Sequence, residues 1–142
     1  MSMQLDKVQP KNKTQLKQLI NYAFKHNIYD LNFIDTSEIT DMSLLFSNRM
    51  HNFDVSSWDV SNVTNMGYIF YHCKNFNCDL SNWDVSKVKN MNYMFYNCKN
   101  FNCNLSDWDI SNMTRWKNIF CGCDKITIPN WYKKLYIVKN KI

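Results

Sequence analysis

Glycine and proline are nearly missing from this sequence, with two of each in 142 residues. Phosphate-cradling loops need glycines so that backbone amides can approach the ligand, and the common nucleotide-binding motifs are thereby excluded. No run of about 18 apolar residues is present, so no helix that inserts into a membrane is expected. The opening MSMQLDKVQPKNK lacks the apolar stretch of a secretion signal. As written, the chain reads as cytoplasmic with its six cysteines reduced, and as cell-surface or secreted if an export signal was removed. Histidine is scarce as well, and His26, His51 and His72 share no repeated position. No Ser-His-Asp or Cys-His arrangement emerges from the spacing, so no enzymatic activity is expected. The cysteines are spaced as C-x4-C and C-x-C rather than as the C-x-x-C pairs of zinc sites, and no metal or cofactor is expected.

What is present describes one globular domain, 45% hydrophobic and 15% aromatic. The net charge of +5 is unevenly spread: +3 on residues 1–30, −2 on residues 31–123 and +4 on residues 124–142. A nucleic-acid binder concentrates positive charge along its body, whereas this body is mildly acidic. Nucleic acid is therefore not an expected partner.

The body repeats. Trp58, Trp83 and Trp108 stand 25 residues apart, as do Phe70, Phe95 and Phe120, and Cys73, Cys98 and Cys123. A fainter copy begins at Leu31, so that four turns starting near 31, 55, 80 and 105 fill residues 31–123. Within a turn, Leu80, Trp83, Val85 and Val88 follow L-x-x-L-x-L-x-x-V, a pattern similar to that of leucine-rich repeats, which reads as a short strand. Met91, Met94, Phe95 and Cys98 then fall at i, i+3, i+4 and i+7, which reads as a short helix. Thr64, Asn65, Asn90 and Thr114 are its candidate N-caps. Stacked turns of this kind predict a parallel sheet with strands about 4.8 Å apart. The ends of the stack need covers. Residues 1–30 supply one, with a helix over 12–27 opened by an Asn12–Gln15 capping box. Residues 124–142 supply the other, with helix or strand over 128–139. The expected fold is thus an α/β, leucine-rich-repeat-like right-handed solenoid of about four strand-helix turns, with a parallel sheet and helical end caps, all one domain.

The string D-x-S-x-V-T-x-M-x-x-x-F followed by cysteine, present as DVSNVTNMGYIFYHC and DVSKVKNMNYMFYNC, resembles the BspA-like leucine-rich repeats of bacterial surface proteins. The segment VQPKNKTQLKQLI is similar to the lead-in to such repeats. The resemblance covers about residues 8–123, departing from the pattern at Trp116, where the other turns have Met. It implies a solenoid, and protein binding or adhesion by a domain largely without an assigned activity.

Two sets of residues are candidates for contact with a partner. Asp35, Asp59, Asp84 and Asp109 occupy one position of successive turns and are expected on the concave sheet face. At about 5 Å spacing, adjacent unit charges repel by roughly 0.8 kcal/mol in water. Hydrogen bonds within D-V-S turns, a bound cation or a basic partner could each offset that repulsion. Tyr68, Tyr71, Tyr93 and Tyr96 lie beside the buried stripe of the expected helices and either cover neighbouring turns or anchor a partner. The expected function is non-enzymatic protein–protein interaction through the Asp/Ser face or the Tyr-bearing helical side. The alternative is a structural or self-associating unit without an external ligand. The expected partner is a protein, basic where it meets the aspartates, and the oligomeric state is open.

Overall fold

The computed structural model of the chain describes residues 6–140. Helix α1 spans Lys13–Lys25 and helix α2 spans Asn130–Asn140. Asn12 caps α1, its Oδ1 accepting the Gln15 N–H at 2.9 Å. Gln15 Oε1 in turn accepts the Lys11 N–H at 2.8 Å, so the reciprocal bond closes one residue earlier than in a standard capping box. Leu16, Ile20 and Ala23 turn the apolar stripe of α1 into the core. Between the helices the chain winds through four coils, each packed in register on the next. No strand or helix occurs within residues 31–123, and pairing there is confined to isolated parallel bridges such as Asp41 with Asn65, Asn65 with Asn90 and Asn90 with Arg115. The expected parallel sheet and short helices are therefore absent, and the fold is not the strand-helix solenoid that the leucine-rich-repeat-like pattern implies.

The strand reading fails because the apolar positions end turns rather than line a strand. The Trp83 N–H donates to Leu80 O at 3.1 Å, and the Val88 N–H donates to Val85 O at 3.0 Å. Two successive turns thus begin and end on buried side chains, which places all four inside without an extended backbone. The same bonds recur at Val55–Trp58, Val60–Val63, Leu105–Trp108 and Ile110–Met113.

The helix reading fails for a related reason. In a helix the Cys98 N–H would go to the carbonyl of residue 94. Here it goes to Phe95 O at 3.0 Å, Tyr96 N–H goes to Tyr93 O at 3.3 Å and Met94 N–H goes to Met91 O at 3.1 Å. The alternate amides point to the next coil instead. Met91, Tyr93, Phe95 and Asn97 donate to the carbonyls of Arg115, Lys117, Ile119 and Cys121 at 2.8–3.0 Å. The segment is a ribbon of linked turns that divides its amides between itself and its neighbour. Such a ribbon buries i, i+3, i+4 and i+7 just as a helix does, and Met91, Met94, Phe95 and Cys98 are all 0% exposed. Accordingly, Asn65 and Asn90 cap no helix; their Oδ1 atoms accept the N–H of Gly67 and Asn92 at 3.0 and 2.9 Å.

Linking turns this way demands a left-handed residue at every fourth position. Tyr68, His72, Tyr93, Asn97 and Asn118 have φ between 50° and 59°, and Gly122 has φ of 80°. At Gly122 a Cβ would also crowd the end of the Asn97 side chain, which would have to move aside.

Each core column is joined along the stack. Phe46, Phe70, Phe95 and Phe120 stack with ring centroids 5.8, 5.5 and 5.7 Å apart. Trp58, Trp83 and Trp108 each reach back to the preceding coil, donating Nε1–H to Leu31 O, Val55 O and Leu80 O at 2.9, 3.0 and 3.0 Å. Helix α2 closes the series with Trp131, whose Nε1–H donates to Leu105 O at 2.8 Å. The cap therefore satisfies the last coil as a further turn would. Replacing Trp83 with Phe removes one of the two bonds to Val55 O, which keeps the Trp58 N–H, and a loss of about 1 kcal/mol in urea unfolding is expected from the bond; a loss below about 0.5 kcal/mol would remove the tryptophan bond from the forces holding the stack.

Candidate functional site

Without a sheet there is no concave sheet face, and without short helices there is no helical side to bear the tyrosines. Both candidate sets lie instead on irregular coil, positioned by hydrogen bonds within each turn. Asp35, Asp59, Asp84 and Asp109 occupy the same corner of successive coils. The Oδ1 of each accepts the N–H of the serine two residues on, Ser37, Ser61, Ser86 or Ser111, at 3.0 Å. The hydroxyls of Ser61 and Ser86 donate to the same oxygens at 2.6 Å. The serine hydroxyl, and then the serine amide, hold the Asp35, Asp84 and Asp109 carboxyls below the usual carboxylate range. These aspartates thus build the corner on which they stand.

Sequence reading missed that the first three coils have three such corners each and the fourth has two. Asp30, Asp54, Asp79 and Asn104 form a second row, accepting the N–H of Asn32, Ser56, Ser81 and Ser106 at 2.9–3.0 Å. Asp41, Asn65 and Asn90 form a third. The signal was available, because D-x-S occurs twice in each of the second and third turns, once around tryptophan and once just before it. Asp30, Asp54 and Asp79 border an open cleft of about 440 Å³ that Phe53 and Cys78 also line.

The cysteines serve the stack. Cys73, Cys98 and Cys123 donate their thiols to Phe46 O, Phe70 O and Phe95 O of the preceding coil at 2.9–3.0 Å. Burial pushes the Cys73, Cys78 and Cys123 thiols up to about 12 and raises Cys98 and Cys103 as well, which leaves them protonated donors rather than nucleophiles. Among the described residues, no group of three His, Cys, Asp or Glu side chains is placed to hold a metal ion.

The four tyrosines are brought together. Tyr68 stacks on Tyr93 at 4.9 Å and Tyr71 on Tyr96 at 5.2 Å, forming two columns of two rings on the outer side of the ribbon. Tyr68 and Tyr71 also meet within one coil at 5.3 Å, as do Tyr93 and Tyr96 at 5.6 Å. All four are half-buried. His72 lies against Tyr71 at 4.2 Å, and Lys117 Nζ lies 5.8 Å from the centre of the Tyr93 ring. Serine and asparagine flank them on the ribbon, at Ser43, Ser47, Asn48, Asn92 and Asn97.

Stacking in register also sorts the charge. The ribbon segments and their flanks, residues 64–77, 89–103 and 114–123, carry five cationic and no acidic side chains. The corner segments, residues 54–63, 78–88 and 104–113, carry six acidic side chains and one lysine. Along the chain these halves cancel, and the small acidic excess of residues 31–123 comes from Asp35, Glu38 and Asp41 of the first coil, so linear charge counting hid the division.

The geometry defines a repeat protein with an acidic row of turn corners on one part of its surface and a tyrosine-bearing, cationic ribbon on another. Residues 14–131 match the family described as "Mycoplasma protein of unknown function, DUF285", and the chain belongs to that family. This match overturns the resemblance to BspA-like leucine-rich repeats, for no leucine-rich-repeat family is matched. No curated protein and no solved structure matches the chain. Among the described residues, no helix is long and apolar enough to cross a membrane.

The lowered aspartates set the acid stability. A carboxyl that binds its proton less readily in the folded state stabilises fully above the unfolded pKa of about 3.9 and progressively less below it. The melting temperature is expected to hold from pH 7 to about pH 5 and to fall steadily below pH 4. Asp84→Asn keeps the accepting oxygen but not the charge that strengthens its serine bonds, and should cost less at neutral pH than Asp84→Ala, which should cost about 1 kcal/mol. Equal losses in the two variants, read by chemical denaturation, would refute the turn-building role.

Proposed function

We propose that the chain is a non-enzymatic module that binds another protein through the tyrosine face of its ribbon. The observation that carries this reading is the backbone at Tyr68 and Tyr93, whose φ values are 59° and 55°. Left-handed backbone at a bulky residue costs on the order of 1–3 kcal/mol, and such strain is found where a surface has work other than folding. The first and fourth turns hold Leu44 and Asn118 at the same position with φ of 61° and 50°, so the ribbon closes without an aromatic there. Asparagine tolerates this conformation far better than tyrosine does. The face also has the composition of protein-recognition surfaces. Tyrosine supplies rigid amphipathic contact area at low entropic cost, and serine and asparagine supply adaptable polar contacts. The aspartate rows are assigned to the corners they build.

Affinity capture with the intact chain, compared by quantitative mass spectrometry with Tyr68→Asn/Tyr93→Asn and with Asp59→Asn/Asp84→Asn/Asp109→Asn, tests the assignment. A specific protein is expected to fall at least about tenfold with the tyrosine variant and to remain with the aspartate variant, while the tyrosine variant unfolds no earlier than the parent. Retention by the tyrosine variant and loss with the aspartate variant would move the site to the corners.

A further inference from the structure

The flanks of the tyrosine face are mostly cationic, with Asp124 and, on the first coil, Asp41 as nearby carboxylates. Lys89 and Arg115 lie at the corners leading into the ribbon, Lys117 lies on it, and Lys74 and Lys99 lie just beyond its end. Only Lys99 is ion-paired, with Asp124 at 3.5 Å; the other four have no ion-pair partner among the described residues. A half-buried aromatic patch bordered on one side by Lys89, Arg115 and Lys117 and on the other by Lys74 and the ion-paired Lys99 complements apolar surface edged by carboxylates. Resting on the protein-recognition reading above, we infer that the partner seated on Tyr68, Tyr71, Tyr93 and Tyr96 is an acidic segment of another protein. Its carboxylates meet Lys89, Arg115 and Lys117 on one flank and Lys74 and Lys99 on the other.

The arrangement favours an acidic polypeptide over a nucleic acid, the other polyanion that aromatic and basic residues attract. Single-stranded nucleic acid binds by laying bases on open ring faces. Here the faces between adjacent coils are taken by other tyrosines, at 4.9 and 5.2 Å, and Lys117 lies over the Tyr93 ring. What the patch offers is half-buried paired rings set among serine and asparagine, a surface suited to backbone and side-chain contacts. The cations act mainly on encounter rate and register, since exposed pairs contribute little each.

Selection of the intact chain against a display library of random linear peptides tests the inference. Enriched peptides are expected to combine Asp and Glu with apolar or aromatic positions. They should lose about tenfold or more in affinity against Lys89→Glu/Arg115→Glu/Lys117→Glu and weaken as salt rises. Lys89→Gln/Arg115→Gln/Lys117→Gln serves beside it to separate lost attraction from any loss of fold, monitored by tryptophan fluorescence. Neutral or basic peptides that depend on the tyrosines would overturn the acidic partner and leave protein recognition standing. Enrichment indifferent to Tyr68→Asn/Tyr93→Asn would overturn both. Retention of a random single-stranded oligonucleotide pool in place of peptides would give the face to nucleic acid. Salt-sensitive self-association abolished by the same charge reversal would give it to a second copy. Either result would end the assignment.

Discussion

Everything in this molecule depends on the division of backbone amides along the ribbon. Each of the first three coils spends half of those N–H groups on its own turns and half on the carbonyls of the next coil, so none of them can satisfy its backbone alone. That obligation fixes the register at which coils stack, and register in turn aligns every column. The phenylalanine stack, the tryptophan bonds to the preceding carbonyl and the thiol bonds to Phe46, Phe70 and Phe95 all require it. A slip of one residue would orphan donors and misplace aromatic rings together, which is why such a stack tolerates little variation in coil length. The first coil is the exception that shows the rule. It is one residue shorter, with Leu31 and Val55 equivalent at a spacing of 24, and Phe53 fills the place of Cys78 and Cys103.

Register also creates the surface. Three corner rows, built from aspartate and asparagine accepting the amide two residues on, hold the coils in shape and gather carboxylates along one part of the stack. The ribbon rows gather tyrosine and cationic side chains along another. Neither surface exists in a single 25-residue unit, because one coil contributes two tyrosines and one or two cations. Only the stack converts these into a patch large enough to recognise anything. The strain at Tyr68 and Tyr93 belongs to the same logic: the ribbon's geometry requires left-handed residues, and the sequence has placed aromatic side chains on two of them.

Much of this was legible in the sequence and some was misread for a definite reason. The four-turn repeat, the buried columns and the capping of α1 by Asn12 follow directly from spacing and side-chain chemistry. The strand and helix assignments did not survive. Apolar residues at 80, 83, 85 and 88, and at 91, 94, 95 and 98, mark which positions face inward but not how the backbone carries them there. Linked turns and a helix bury the same i, i+3, i+4, i+7 set. The scarcity of glycine added to the error, since repeated left-handed positions are ordinarily a glycine signature, and here tyrosine, histidine and asparagine occupy them. The second row of aspartates was overlooked although D-x-S announces it twice in a turn.

The sequence by itself determined the period, the inward set and the chemistry of the corners, because these depend on residue identity at fixed spacing within one chain segment. Tertiary structure alone decided where the amides go, and so decided that the repeats are coils of turns rather than strands and helices. It alone sorted the charges, since −2 over residues 31–123 is a sum along the chain whereas segregation is a property of coils laid side by side. Backbone hydrogen bonds between segments about 25 residues apart leave no trace in local propensity, and the architecture rests on those bonds.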